Sequence, residues 1–346
     1  MTGRSVHVLS QYLWPDDAPT GIYAEQLADS LAQAGVGVRL VGGQGSYRQG
    51  KRAAPRTAIV RLAHNEGRRG RLLSTAREYE SVREAFGSYI RREVRANDVV
   101  IITSAPPTTL FLHRAIRARG AVGVYWLQDY YPQLIRGVWD APGFLRQILD
   151  RLWTRELSTW PHVVKAAGNL GYSGRNSLVI RNWNTLELGA PEPARPRTAL
   201  YSGNLGWGHD LTPFLDLCQT LRDKGYEVTV RGDGPGMTRL PGWIRAAPPV
   251  VDPEELVRSY WEAEVHLVAG HPRFPDAVFP SKFWNARATG RPVLASGFTG
   301  VMAEELEAAR TSDFRTHLPQ WTRMVVSLLR DSDPDPGRGE NGRDAH

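Results

Sequence analysis

Short apolar runs that end in glycine-rich or polar loops recur along this chain, each followed by a helical stretch, and few folds tolerate that alternation. The first series begins with a strand from Val6 to Ser10 and a loop from Gln11 to Pro19. A helix from about Gly21 to Ala34 follows, with Tyr23, Leu27 and Leu31 on one face and Gly35 just past its end. Val36, Val38 and Leu40 alternate as the next strand. Val99–Thr103 and Val122–Leu127 are continuous apolar runs, as strands covered on both faces require, and a helix is expected from Thr109 to Arg119 between them. A second series starts at Thr198 with TALYS and the loop GNLGWGHD, then runs through Glu227–Arg231, the turn from Gly232 to Gly236, a helix near Pro253–Glu262 and the strand Val265–Ala269. Between the series, residues 186–197 are proline-rich and aperiodic, which marks a linker. The expected organisation is α/β: two similar units, 1–185 and 198–312, with parallel sheets whose strand ends face each other across a ligand cleft.

Composition narrows the function classes. A formal charge of +7 points to acidic partners without naming one. Much of the excess lies between Gly67 and Arg95, where arginines alternate with glutamates as on a solvated helix face. No zinc spacing, helix-turn-helix signal or aromatic RNA-binding signature accompanies it, so no nucleic-acid partner is expected. The single cysteine, Cys218, falls in the apolar pattern LTPFLDLCQTL and reads as a buried thiol. No apolar run approaches the roughly 20 residues of a membrane span. The opening MTGRSVHVLS runs straight into a strand pattern, which gives a cytoplasmic expectation. Residues 331–346 lack apolar content and are expected to be disordered, so Asp331, Asp333 and Asp335 are not taken as a metal site.

The segment VFPSKFWNARATGRPVLAS, from Val278 to Ser296, carries the sharpest chemistry. Ser281 reads as an N-cap, Lys282 opens a helix, Gly290 ends it, and Pro292–Ala295 continues as a buried strand. Free N–H groups beside an ammonium suit a diphosphate, because dipole and charge both favour the anion. The plainer reading is an ordinary αβ unit with a surface lysine.

In order along the chain, SQYLWPDDAPTGIYAEQLADSLAQAG, VVIITSAPPTTL, VYWLQDYYPQLI, LVIRNWNTLEL, ALYSGNLGWGHDL, VRGDGPG and FPSKFWNARATGRPVLAS resemble the GT-B fold glycosyltransferases of family four, in the bacterial branch that acts on lipid-linked or surface saccharides. The resemblance implies two Rossmann-like domains, a final helix (313–330) that returns to the first domain, and retaining transfer of a sugar from a nucleotide diphosphate, most often a UDP-sugar, to a hydroxyl acceptor. It implies no cofactor and no metal, since two helix starts and an ammonium serve the leaving group. Donor binding falls to Gly21, Gly203, Asn204, His209, Gly232, Ser281, Lys282 and Asn285. Asp129 is the candidate for acceptor orientation or proton acceptance, with a helix N-cap as its plain alternative, and Lys282 for stabilising the departing diphosphate.

The chain departs from that family at several points. Ala277 and Asn285 stand where two glutamates are usual, Asn204 and His209 where an arginine and a lysine are usual, and Gln128 where many relatives carry histidine. These departures keep open a non-catalytic nucleotide or sugar-phosphate binder, and an epimerase of the same fold. The branch also implies peripheral contact with the inner face of a membrane. The Arg68–Arg95 stretch, with Leu72, Leu73, Tyr79, Phe86 and Tyr89, is the candidate surface, against the alternative of a helix covering its own sheet. Trp14, Trp126, Trp139 and Trp207 lie near strand ends, where tryptophans either pack or stack on a sugar or base.

Overall fold

A computed structural model describes residues 3–44, 51–65, 72–206 and 209–331, except 139–142. The first unit runs β1 (Ser5–Ser10), α1 (Pro19–Gln33), β2 (Gly37–Gly42), β3 (Ile59–Arg61), α2 (Leu72–Glu93), β4 (Val99–Thr103), α3 (His113–Ala118), β5 (Val122–Leu127), α4 (Tyr131–Val138), α5 (Gly143–Ser158), β6 (His162–Lys165) and β7 (Ser177–Val179). Its seven strands are all parallel, in the order β3-β2-β1-β4-β5-β6-β7. The second unit runs β8 (Thr198–Ser202), α6 (Leu211–Asp223), β9 (Glu227–Arg231), β10 (Arg245–Ala247), α7 (Pro253–Glu262), β11 (Val265–Ala269), α8 (Lys282–Ala288), β12 (Val293–Ser296) and α9 (Gly300–Thr311), then α10 (His317–Asp331). Its five strands are parallel too, in the order β10-β9-β8-β11-β12.

Both sheets reverse their winding between the first strand and the strand that joins it from the other side, β1/β4 and β8/β11. Loops diverge there at the carboxyl edge and leave a crevice. Hydrophobic patterning explains the layers: every residue of β4 and β11 is buried, as expected of strands sandwiched between helices.

α1 begins at Pro19, two residues before the position expected from the sequence, because proline suits the first helical turn. The expected helix from Thr109 divides into a 3₁₀ segment, Pro107–Leu112, and α3. On α2, Phe86 and Tyr89 are 1% and 2% exposed and belong to the core of the first unit. The helix therefore covers its own sheet with these two aromatics, and they do not form a membrane-facing surface. Of the named apolar side chains, Leu73 is largely exposed, at 78%. Arg68, Arg69 and Arg71 lie outside the described residues, as do Trp139, Trp207 and the tail beyond Asp331.

The chain between β7 and β8 is pinned to the second unit: Trp261 Nε1 donates to the Leu188 carbonyl at 2.8 Å and Arg195 N–H to the Glu262 carbonyl at 3.0 Å. α10 lies on the first unit, where Trp321 and Val325 enter the core and Ser30 bonds Thr322 at 2.8 Å. Across the gap, Arg181 grips Glu305 of α9 through two bonds of 2.7 and 3.0 Å.

Candidate functional site

Three backbone approaches build the floor of a cavity at the β8/β11 reversal. The Gly203 N–H donates to the Arg231 carbonyl at 2.8 Å, tying the β8 loop to the end of β9. Gly232 lies so close that a Cβ there would sit 2.0 Å from the Gly203 carbonyl oxygen. Gly203 itself has φ +141°, and a Cβ on it would stand 2.5 Å from Lys282 Nζ. Only glycine at both positions lets the lysine lie flat across the loop.

Lys282 Nζ donates to Tyr201 Oη at 3.0 Å and to the Asn204 carbonyl at 3.4 Å, and it stands 4.7 Å from the centre of the Tyr201 ring. Burial lowers its pKa to about 8. Tyr201 is fully buried and passes its own proton to the Asn204 carbonyl at 2.9 Å, which fixes which lone pair faces the ammonium. The result is a cation held by neutral partners beside open space.

That space is a cavity of about 320 Å³ between the units. Gly203, Asn204, His209, Gly232, Ser281, Lys282 and Asn285 line it from the second unit, and Asp17, Pro19, Ile22 and Tyr23 line it from the start of α1. Thus seven of the residues singled out from sequence share one pocket. Gly21 and Asp129 are not among its lining residues.

Gly21 is buried, and a Cβ there would fall 1.7 Å from the Tyr12 carbonyl oxygen, so close packing of α1 on the β1 loop demands glycine. Asp129 follows β5 in the first unit; its N–H donates to Ser104 Oγ at 3.2 Å, and burial pushes its carboxyl up to about 6. Tyr79, Tyr125 and Tyr131 surround it closely enough for its charge to raise their pKa values.

Several side chains are already engaged. His209 Nδ1 accepts the Gly206 N–H at 3.1 Å, and burial next to Lys282 drops its pKa to about 4, so it is neutral at pH 7. Asn285 Oδ1 accepts from the Thr185 N–H at 2.7 Å and meets Thr185 Oγ1 at 3.2 Å, binding α8 to the end of the first unit. Ser281 occupies the N-cap position without a side-chain cap bond, leaving its hydroxyl for other partners. Ala277 is fully buried, and its carbonyl accepts the Tyr130 N–H at 2.7 Å, so that position serves contact between the units. Gln128 is 9% exposed and accepts from Asn182 Nδ2 at 3.1 Å.

The tryptophans divide. Trp126 is fully buried, 4.5 Å from the Trp321 ring centre and 5.9 Å from that of Trp183, and is a core residue. Trp14 is half-buried and donates from Nε1 to the Arg52 carbonyl at 3.1 Å. Cys218 is buried in the second core, which pushes its thiol up to about 12. Tyr201, Thr185 and Arg231 lie inside the segments that carry the resemblance but are not among the donor-binding candidates, yet all three shape the pocket. Arg231 is marked only by its place as the last residue of a strand that runs into Gly232.

No family model and no curated protein sequence matches the chain. Solved structures do. The pneumococcal O-GlcNAc transferase GtfA, in complex with UDP and GlcNAc, matches with TM-score 0.59 over 96% of this chain and 100% of that one, at 7% identity. The lipopolysaccharide outer core galactosyltransferase WaaB, in its apo form, gives TM-score 0.52 over 95% and 98% at 11% identity. WaaG, a glycosyltransferase involved in lipopolysaccharide biosynthesis, gives 0.52 over 96% of each chain at 11% identity. The chain has the GT-B fold. In it the pocket holds the position between two parallel-sheet units that the strand reversal creates. Among the described residues no cluster of three His, Cys, Asp or Glu side chains is placed to hold a metal ion, and no helix is long and apolar enough to cross a membrane.

Proposed function

We propose that this protein is a retaining glycosyltransferase that takes a sugar from a nucleotide-diphosphate donor, a UDP-sugar, and passes it to a hydroxyl acceptor without a metal. The observation that carries this reading is Lys282 laid across Gly203, with its ammonium beside a cavity walled by both units. A glycosyl–phosphate bond that breaks leaves negative charge on the diphosphate, and a poorly hydrated ammonium offsets that charge most where water is excluded. Fold supports the reading as well: GtfA was solved with UDP, and WaaB is named as a galactosyltransferase. Gly203, Asn204, Gly232 and Ser281 frame the donor, and His209, being neutral, acts as a hydrogen-bonding group. Asn285 reaches the donor ribose only if it gives up part of its pairing with Thr185.

Asp129 stands on the first unit and serves the acceptor. A carboxyl held near pH 6 by burial is suited to orient a hydroxyl and take its proton at neutral pH. A lipid-linked acceptor places the protein in peripheral contact with the membrane that carries it.

The test is a donor panel. Purified protein is incubated in EDTA with UDP-, dTDP- and GDP-sugars, with and without lipid-linked or small hydroxyl acceptors, and products are read by mass and anomeric configuration. Acceptor-dependent transfer with retention is expected, with Asp129→Asn lowering turnover by roughly 10²- to 10⁴-fold at unchanged UDP affinity. Release of an inverted or epimerised free sugar would assign the site to epimerisation, and nucleotide binding without turnover would assign it to a binding protein.

A further inference from the structure

Among the described residues that line the cavity, Arg231 is the one cation besides Lys282, and the order of the strands fixes its place. Lys282 follows β11; Gly203 follows β8; Arg231 ends β9; Pro249 and Val250 follow β10. Since β11, β8, β9 and β10 lie side by side in that order, these groups are laid out in a row. Lys282 Nζ itself lies over the β8 loop, so at about 4.8 Å per strand the row from the ammonium to the end of β10 covers two spacings, about 10 Å, a gap that a ribose can bridge between a diphosphate and its base.

The two ends differ in chemistry. The Lys282 end is polar, with an ammonium, the Ser281 hydroxyl and Asn204. The other end is walled by Pro249, Val250 and Leu256, the kind of apolar slot a planar base enters. Arg231, at the end of β9, stands between the β8 loop and that apolar end. Its side chain is 20% exposed, and its only ion-pair partner among the described residues is Glu255, 3.3 Å from Nη1 and 54% exposed, a contact worth little in water. Its Nε is buried with no hydrogen-bond partner among the described residues. The backbone of the residue is fixed, because its carbonyl holds the Gly203 N–H. A guanidinium with one exposed carboxylate partner and an unpaired Nε has donors to spare.

The geometry points to Arg231 as the residue that selects the nucleobase, by donating to a base that presents a carbonyl edge. This rests on the nucleotide-sugar reading above and adds to it the choice of base. Uracil carries an oxygen at position 4 where cytosine carries an amino group, so a fixed donor favours uracil and leaves two donors facing each other when cytosine enters. Sites that recognise a polar group with a buried partner reject the wrong analogue strongly, because the partner is left unpaired.

Calorimetric titration of the full chain with UDP and with CDP, in EDTA at pH 7, tests this on wild type, Arg231→Gln and Arg231→Lys. The wild type is expected to bind UDP at least tenfold more tightly than CDP. Arg231→Gln is expected to weaken UDP about tenfold and leave CDP within about twofold, with Arg231→Lys in between, while the ligand-free melting temperature stays within about two degrees of wild type. An equal loss for both nucleotides, an unchanged UDP affinity, or a wild type that binds the two alike would overturn the assignment. Failure of the wild type to bind any nucleoside diphosphate would instead remove the nucleotide-sugar reading on which it stands.

Discussion

Lys282 is held as an ammonium among neutral groups, and that placement is unfavourable in the free protein. Its pKa of about 8 lies below the ordinary lysine value of 10.5, so the native state binds its proton less tightly than the unfolded chain. The penalty is complete below about pH 8 and fades as pH rises toward 10.5. Lys282→Met is therefore expected to raise the ligand-free melting temperature at pH 7 by a few degrees, corresponding to about 1–3 kcal/mol, and to lose the stabilisation by UDP. Differential scanning fluorimetry with and without UDP reads both effects, and an undiminished UDP shift would take the lysine out of the site. In the wild type, UDP affinity should decline as pH passes 8, while in the variant it should be flat. Asp129 has the opposite titration. With a carboxyl raised from 3.8 to about 6, the native state favours the protonated form, so stability falls as pH rises between those values. Asp129→Asn is expected to be more stable than wild type at pH 8 by about 1–3 kcal/mol and to lose nearly all of that advantage at pH 4, as urea melts at the two pH values would show.

Elements meet where glycine removes a side chain. The clearest example is α1 on the loop that follows β1: Gly21 has its Cα against the Tyr12 carbonyl, 1.7 Å from where a Cβ would stand. Gly21→Ala must push α1 off the sheet, and since Tyr23, Leu27 and Leu31 of that helix are fully buried, a loss of about 2–4 kcal/mol in chemical denaturation is expected. A loss under about 0.5 kcal/mol would show that the loop yields instead. The same displacement would shift Pro19, Ile22 and Tyr23 at the cavity wall, so weaker UDP binding should accompany it. Elements were the scale most legible in the sequence. The strands Val99–Thr103, Val122–Leu127, Glu227–Arg231 and Val265–Ala269 and the helix Pro253–Glu262 lie where apolar pattern and capping place them. The pattern was least informative at Pro107–Ala118, where consecutive prolines at 106 and 107 start a 3₁₀ turn that periodicity does not distinguish from an α-helix.

For the molecule as a whole, the two units are joined by a few specific ties. α10 sets Trp321 into the first core beside Trp126, His317 Nδ1 meets the Asn182 carbonyl at 2.8 Å, and Arg181 pairs with Glu305. Trp321→Ala removes a fully buried indole and should cost about 3–5 kcal/mol of the first unit's stability. If α10 is what clasps that unit, limited proteolysis should then cut near α10 before it cuts within either sheet; retention of the wild-type cleavage pattern would contradict this.

The chain's own order of residues settles what is local. Strand and helix positions, the glycines that precede tight approaches, and the placement of Ser281 and Lys282 at one helix start all follow from backbone sterics, apolar period and capping, which act over a few residues. Which residues meet is decided by long-range packing. Only the folded sheet order sets Arg231 in line with Lys282, gives Asn285 to Thr185 across 100 positions, buries Phe86 and Trp126, and places Gly21 behind the pocket wall instead of on it. Sequence distance carries no information about those contacts, because they depend on which strands become neighbours and on which side chains the closing of the core leaves beside open space.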